Sequence, residues 1–117
     1  MAEKIDRLTR VNEVLKREIA DEINRINFPG ASGMLISVTE VTASVDLRNA
    51  TVGISIFGGN AGQRAEIFKE LNLHRHDIQK HLARVLAFKH TPVLCFKPDR
   101  RTELGDRVLE LLNGDGN

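Results

Sequence analysis

The stretch from Val38 to Ile56 constrains this chain more than any other. Ile36, Val38 and Glu40 alternate with Leu35, Ser37, Thr39 and Val41; further on, Val52, Ile54 and Ile56 alternate with Thr51, Gly53, Ser55 and Phe57. A period of two over β-branched residues is the signature of a strand. The pattern predicts two strands, near 34–41 and 50–57, joined by a polar connection that carries the pair Asp46-Leu47.

Helical patterns surround this hairpin. Ile5, Leu8, Leu15, Ile19, Ile23 and Ile26 fall on one stripe at 100° per residue, which predicts an amphipathic helix over about 4–26. Asn27-Phe28-Pro29-Gly30 stops it. After the loop Gly58-Gly59-Asn60-Ala61-Gly62, a second helix is expected over about 62–73, with Ala65, Phe68, Leu71 and Asn72 near one face. A third is expected over about 76–89, on Ile78, Leu82, Val85 and Leu86, and Thr91-Pro92 ends it because the residue before proline disfavours the helical region. Residues 93–97 read as a short apolar strand, 103–112 as a short helix or turn, and 113–117 as a fraying tail. The order helix-strand-strand-helix-helix-strand implies an α+β domain over 1–112, a three-stranded sheet with the helices packed on one face. It matches the KH type II order, though periodicity alone also permits other small α+β folds.

A chain of 117 residues suits one domain. Its formal charge of +1 hides an asymmetry: residues 62–101 hold nine Lys/Arg against four Asp/Glu, and 102–117 hold one against four. A basic segment followed by an acidic tail fits nucleic-acid contact as well as a solvated face. Cys95 is the single cysteine, so no intrachain disulfide forms; this fits a reducing compartment, the cytoplasm. Within Val93-Leu94-Cys95-Phe96 the thiol is expected to be buried and inert. No apolar run approaches a membrane span, and the mixed-charge start Met1-Ala2-Glu3-Lys4 does not read as a signal peptide.

Cations supply the candidate site. Arg7, Arg10 and Arg17 lie within about 80° of each other, nearly opposite the apolar stripe of the first helix. Lys80 and Arg84 are one turn apart on the third helix, Arg75 and Lys89 flank it, and Arg100-Arg101 follow the last strand. Convergent cations bind phosphates with release of counterions; the competing reading is a solvated face with Asp77 offsetting Lys80 or His81. With no Trp or Tyr and its five Phe mostly at apolar-pattern positions or element ends, the chain has few rings for base stacking, so backbone and shape should dominate binding. His74, His76, His81 and His90 lack the convergence of a zinc site, since His76 and His81 point about 140° apart on one helix; they read as polar junction residues in reach of RNA. The glycine loop lacks the Lys-Ser/Thr of a P-loop and reads as a flexible connection. No nucleophile elbow or other catalytic constellation is visible, which favours a binding module over an enzyme and calls for no cofactor. A protein-interaction module without direct RNA binding is the alternative, and a small metal-dependent enzyme is the remote third class.

Over almost its whole length the chain resembles the bacterial ribosome-binding factor A family. The resemblance is carried by Arg7-Leu8-Thr9-Arg10-Val11, by Ser37-Val38-Thr39-Glu40-Val41, and by Ser44-Val45-Asp46-Leu47-Arg48-Asn49-Ala50-Thr51-Val52. Leu71-Asn72, Ile78, Leu82, Lys89-His90-Thr91-Pro92-Val93-Leu94-Cys95-Phe96, Asp99 and Gly105 follow in the family's order. It implies a KH type II-like domain, monomeric when free, that binds the small ribosomal subunit and its rRNA late in maturation without enzymatic activity. The family joins its second and third helices through an Ala-x-Gly kink. Here that place holds His74-Arg75-His76, which lacks the glycine. A less sharp break is expected, with His74 to His76 exposed and Arg75 able to reach a phosphate.

Overall fold

The computed structural model describes residues 2–99, with side chains described from Arg7 onward. The elements are α1 (Ala2–Arg25), a 3-10 turn (Pro29–Ala31), β1 (Leu35–Ala43), β2 (Asn49–Phe57), α2 (Ala61–Leu73), α3 (Arg75–Val85) and β3 (Val93–Pro98). This is the expected α+β, KH type II order. β2 occupies the centre of the sheet, antiparallel to β1 and parallel to β3. A parallel pair needs a crossover, and α2 with α3 supply it.

The helices cover one face of the sheet. Leu15, Ile19 and Ile23, spaced by four, are buried on α1 as the stripe requires. Asn12 Oδ1 accepts the Ala43 N–H at 2.8 Å and fastens α1 to the end of β1. The crossover helices contribute Ile67 and Leu71 from α2 and Ile78 and Leu82 from α3. They meet Val38, Val41, Ala43, Ala50, Val52, Ile54, Leu94 and Phe96 from the sheet in one core. Each fully buried aliphatic side chain there contributes about 1.5–3 kcal/mol relative to exposure.

The alternation of β1 is broken by one residue. Strict alternation would turn Glu40 inward with Ile36 and Val38. Instead Val38 pairs with Ile54 and Glu40 with Gly53, so Thr39 is an extra residue, a β-bulge. Beyond it Val41 and Ala43 point into the core, and Glu40 is exposed. Burying a carboxylate in the apolar core would cost far more than the disrupted ladder. Opposite the bulge, Gly53 leaves a hollow of about 250 Å³ on the outer face, lined by Thr39, Glu40, Thr42, Thr51, Gly53, Pro98 and Asp99.

Three expectations are corrected. Cys95 is exposed rather than buried: β3 turns Leu94 and Phe96 into the core and leaves Val93, Cys95 and Lys97 on the uncovered face. On α2 the buried pair is Ile67 and Leu71, whereas Ala65 and Asn72 are exposed. α3 ends at Val85, not near 89, with Leu86 extended at φ −109° and ψ 133°. From there Leu86 and Phe88 are half-buried against the core while Ala87 and Lys89 are exposed, a period of two in place of a helical one. The expected segment 103–112 and the tail 113–117 lie outside the described residues.

Candidate nucleic-acid interface

α1 packs against β1 and against α3, so the two helices stand side by side on the same face of the sheet. Arg7, Arg10 and Arg17 are all exposed. By the helical repeat, Arg10 and Arg17 lie about 170° from the Leu15–Ile19–Ile23 stripe. Lys80 and Arg84 are exposed and lie about 160° from Ile78 and Leu82. Both strips therefore face outward from the helical layer on one side of the molecule. The α1 strip is mixed, because exposed Glu13 and Asp21 are interleaved with its arginines. The α3 strip is cleaner: Asp77 stands 3.8 Å from His74 Nδ1. Arg75 is exposed at the first turn of α3, and Lys89 is exposed on the segment between α3 and β3. Arg100 and Arg101 lie outside the described residues.

The α2–α3 junction is a single residue. His74 caps both helices with φ −89° and ψ 0°, in the bridge region. Its N–H donates to the Glu70 and Leu71 carbonyls at 3.2 and 3.1 Å, and its own carbonyl accepts from Ile78 N at 3.0 Å. The backbone thus leaves one helix and enters the next without a residue at positive φ, so no glycine is required. His74 is only partly exposed: its ring meets Phe28 edge-on, with centroids 5.7 Å apart, and Phe28 is buried. Arg75 and His76 are exposed as expected.

His81 is a further correction. It is buried, 3.4 Å from Glu18 and 3.3 Å from Glu22 on α1, and so is out of reach of an external ligand. Its spacing of three from Ile78 and its place beside Leu82 signalled the inner side of the helix. Among the described residues no group of His, Cys, Asp and Glu forms a metal site.

The glycine loop is a built helix entry rather than a flexible connection. Asn60 Oδ1 accepts the Gln63 N–H and Gln63 Oε1 accepts the Asn60 N–H, both at 2.8 Å, a capping box. Arg64 donates to the Gly59 carbonyl at 2.7 Å, and to that of Gly58 at 3.3 Å. Its guanidinium therefore closes the loop. The spacing Asn60-x-x-Gln63 carried that signal in the sequence.

The hairpin link is equally ordered. Ser44 Oγ donates to Asp46 Oδ1 at 2.6 Å, Arg48 N–H donates to the same oxygen at 3.1 Å, and Asn49 N–H donates to Ser44 Oγ at 3.1 Å. The Ser44 hydroxyl and then the Arg48 amide hold the Asp46 carboxyl below its ordinary range. Leu47 takes φ 59°, a left-handed conformation unusual for a branched side chain, and packs against the core.

The family model for ribosome-binding factor A matches residues 7–112, which include both cationic helices and the hairpin. The chain belongs to the ribosome-binding factor A family. A ribosome-binding factor A from Rippkaea orientalis is 32% identical over 108 residues, 92% of this chain and 84% of that protein. The crystal structure of ribosome-binding factor A from Thermus thermophilus superimposes with a TM-score of 0.67 at 26% identity, covering 80% of this chain and 97% of that one. A homology model of the Thermus thermophilus factor, fitted into a cryo-EM map of a 30S complex, gives a TM-score of 0.62 at 27% identity, covering 76% and 91%. Within the family frame, this chain's helix junction is made by His74 resting on Phe28.

Proposed function

We propose that this protein binds the immature small ribosomal subunit and its rRNA, and acts as a non-enzymatic assembly factor in late maturation and rRNA processing. The observation that carries the reading is the outward pairing of two cationic strips on adjacent helices, Arg7, Arg10 and Arg17 on α1 and Lys80 and Arg84 on α3. Family membership and the relative fitted into a 30S map support the partner. Arg75, Lys80, Arg84 and Lys89 position phosphates, joined by Arg100 and Arg101; the α1 arginines form the second strip. Phosphate contacts set affinity and orientation without reading bases. Among the described residues Phe28 and Phe96 are buried, Phe68 and Phe88 half-buried, and Phe57 is exposed at the end of β2, so one ring rather than a platform is left for stacking. Residues 1–112 act as one domain, monomeric when free, in the cytoplasm.

Sedimentation through sucrose gradients with mature and immature subunits tests this reading. The protein should travel with small subunits, preferentially immature ones, and not with large subunits. Loss of the gene should raise the level of unprocessed small-subunit rRNA. Absence of co-sedimentation together with normal processing would exclude the assembly role.

A further inference from the structure

His81 is 8% exposed, and its two ring nitrogens face two different carboxylates. Nε2 stands 3.4 Å from Glu18 Oε2 and Nδ1 stands 3.3 Å from Glu22 Oε2. The two acids are one turn apart on α1 and lie on opposite edges of the ring, so the three groups do not converge on one point as metal ligands would. A neutral imidazole has one N–H, and its other nitrogen would turn a lone pair toward a carboxylate. Only the imidazolium carries a proton on both sides and a charge toward both carboxylates: a hydrogen bond toward Glu18 and an ion pair toward Glu22. Glu22 Oε2 is buried and has no well-aligned hydrogen-bond donor, and a lone pair facing it would leave its charge to the more distant, largely exposed Arg25. Arg25 reaches that oxygen from α1 itself at 3.6 Å. On α3, Asp77 pairs with His74 while Lys80 and Arg84 are exposed. Among the described residues, Glu18 and Glu22 are therefore the ionisable groups that face the ring.

We infer that His81 is a proton-dependent clamp: doubly protonated, it ties α3 to α1 through Glu18 and Glu22 and positions the Lys80–Arg84 strip beside Arg10 and Arg17. The clamp stands on the ring geometry; its consequence for binding rests on the RNA reading above. The sign follows from the donor count. The fold pairs the charged ring with two carboxylates, so the clamp is complete at the acid end and is lost as pH rises and the ring gives up its second proton.

Thermal unfolding of the full chain at pH 6 and pH 8.5 tests the clamp. The wild-type Tm should fall by about 5 °C between the two, whereas His81→Gln should be lower at pH 6 and lose most of the fall. Glu18→Gln, which keeps the shape, should show an intermediate fall. Long-range 15N NMR of the wild-type ring at pH 6 should show both nitrogens protonated, which decides the matter if His81→Gln does not fold. An equal fall in His81→Gln, or a neutral ring at pH 6, overturns the clamp. In parallel, affinity for a small-subunit rRNA fragment should drop more steeply with pH in the wild type than in His81→Gln. If the wild type binds that RNA at neither pH, the RNA reading fails and the clamp is judged by unfolding and NMR alone.

Discussion

The Thr39 side chain occupies the space a side chain on Gly53 would need: a Cβ there would lie 2.7 Å from Thr39 Oγ1, with the Glu40 backbone 3.5 Å away. The bulge and the glycine form one device, and it is what keeps Glu40 out of the core. Gly53→Ala should therefore destabilise the protein by about 1–3 kcal/mol, the usual cost of overpacking. Thr39→Ala in the same chain should restore part of the loss. Urea unfolding of the two variants and their combination checks this; additive losses would show that the two residues do not compete for space.

Lys80→Glu with Arg84→Glu should weaken rRNA binding across unrelated sequences and reduce the slope of log K against log salt by ~1.5, as loss of two phosphate contacts requires. Both side chains are exposed, so the unfolding midpoint should hold. Titration at several salt concentrations gives both quantities. An unchanged slope would make this face solvated surface.

Arg75→Ala should cost about 1 kcal/mol of RNA affinity, in line with one charge-assisted contact, and leave stability nearly unchanged. Arg75 follows His74 directly, and His74 rather than Arg75 is the residue braced by Phe28. Marked destabilisation with intact binding would make Arg75 part of the junction's own structure.

Asp46 should respond to acid in a defined direction. Its carboxyl is held below the ordinary 3.8 by the Ser44 hydroxyl and the Arg48 amide. A depressed carboxylate adds stability above its unfolded-state value, and that contribution is lost as pH falls through the folded-state value. The side-chain carboxyl carbon should titrate with a midpoint below 3.8, and Ser44→Ala should move it upward. Amide exchange at Arg48, corrected for intrinsic rate, should speed up over the same acid range. A midpoint at or above the ordinary value would mean that the turn's hydrogen bonds do not persist in solution.

Periodicity made the order of elements and the one-sided burial of α1 legible in the sequence. The bulge was hidden because Thr39 and Glu40 suit a strand equally well, and only Val41 and Ala43 beyond them required the phase to slip. The apolar run Val93–Phe96 suggests a buried Cys95, but with helices on one face of the sheet alternate residues of β3, Cys95 among them, face outward. The early end of α3 was visible in the alternation of Leu86, Ala87, Phe88 and Lys89, but the helical stripe through Val85 and Leu86 obscured it. For the candidate site, exposure of Arg7, Arg10, Arg17, Lys80 and Arg84 followed from helical phase; that of Arg75 did not, since phase puts it on the Ile78–Leu82 side and it is exposed because it opens the helix. The role of His81 did not follow either, because its partners Glu18 and Glu22 lie on another helix and no local pattern links them.

The parallel pairing of β2 with β3 has a consequence for the growing chain on a ribosome. The hairpin of β1 and β2 is local and can close soon after Phe57 is made, but β3 must wait for both crossover helices, and such distant pairings are slow to form. α3 depends on that late strand: Gln79 Oε1 accepts the Leu94 N–H at 2.9 Å. A nascent chain that has reached Phe88 already holds Lys80 and Arg84, yet has no strand to fix the helix that bears them. The charges are translated first, and the geometry that aims them arrives with residues 93–98.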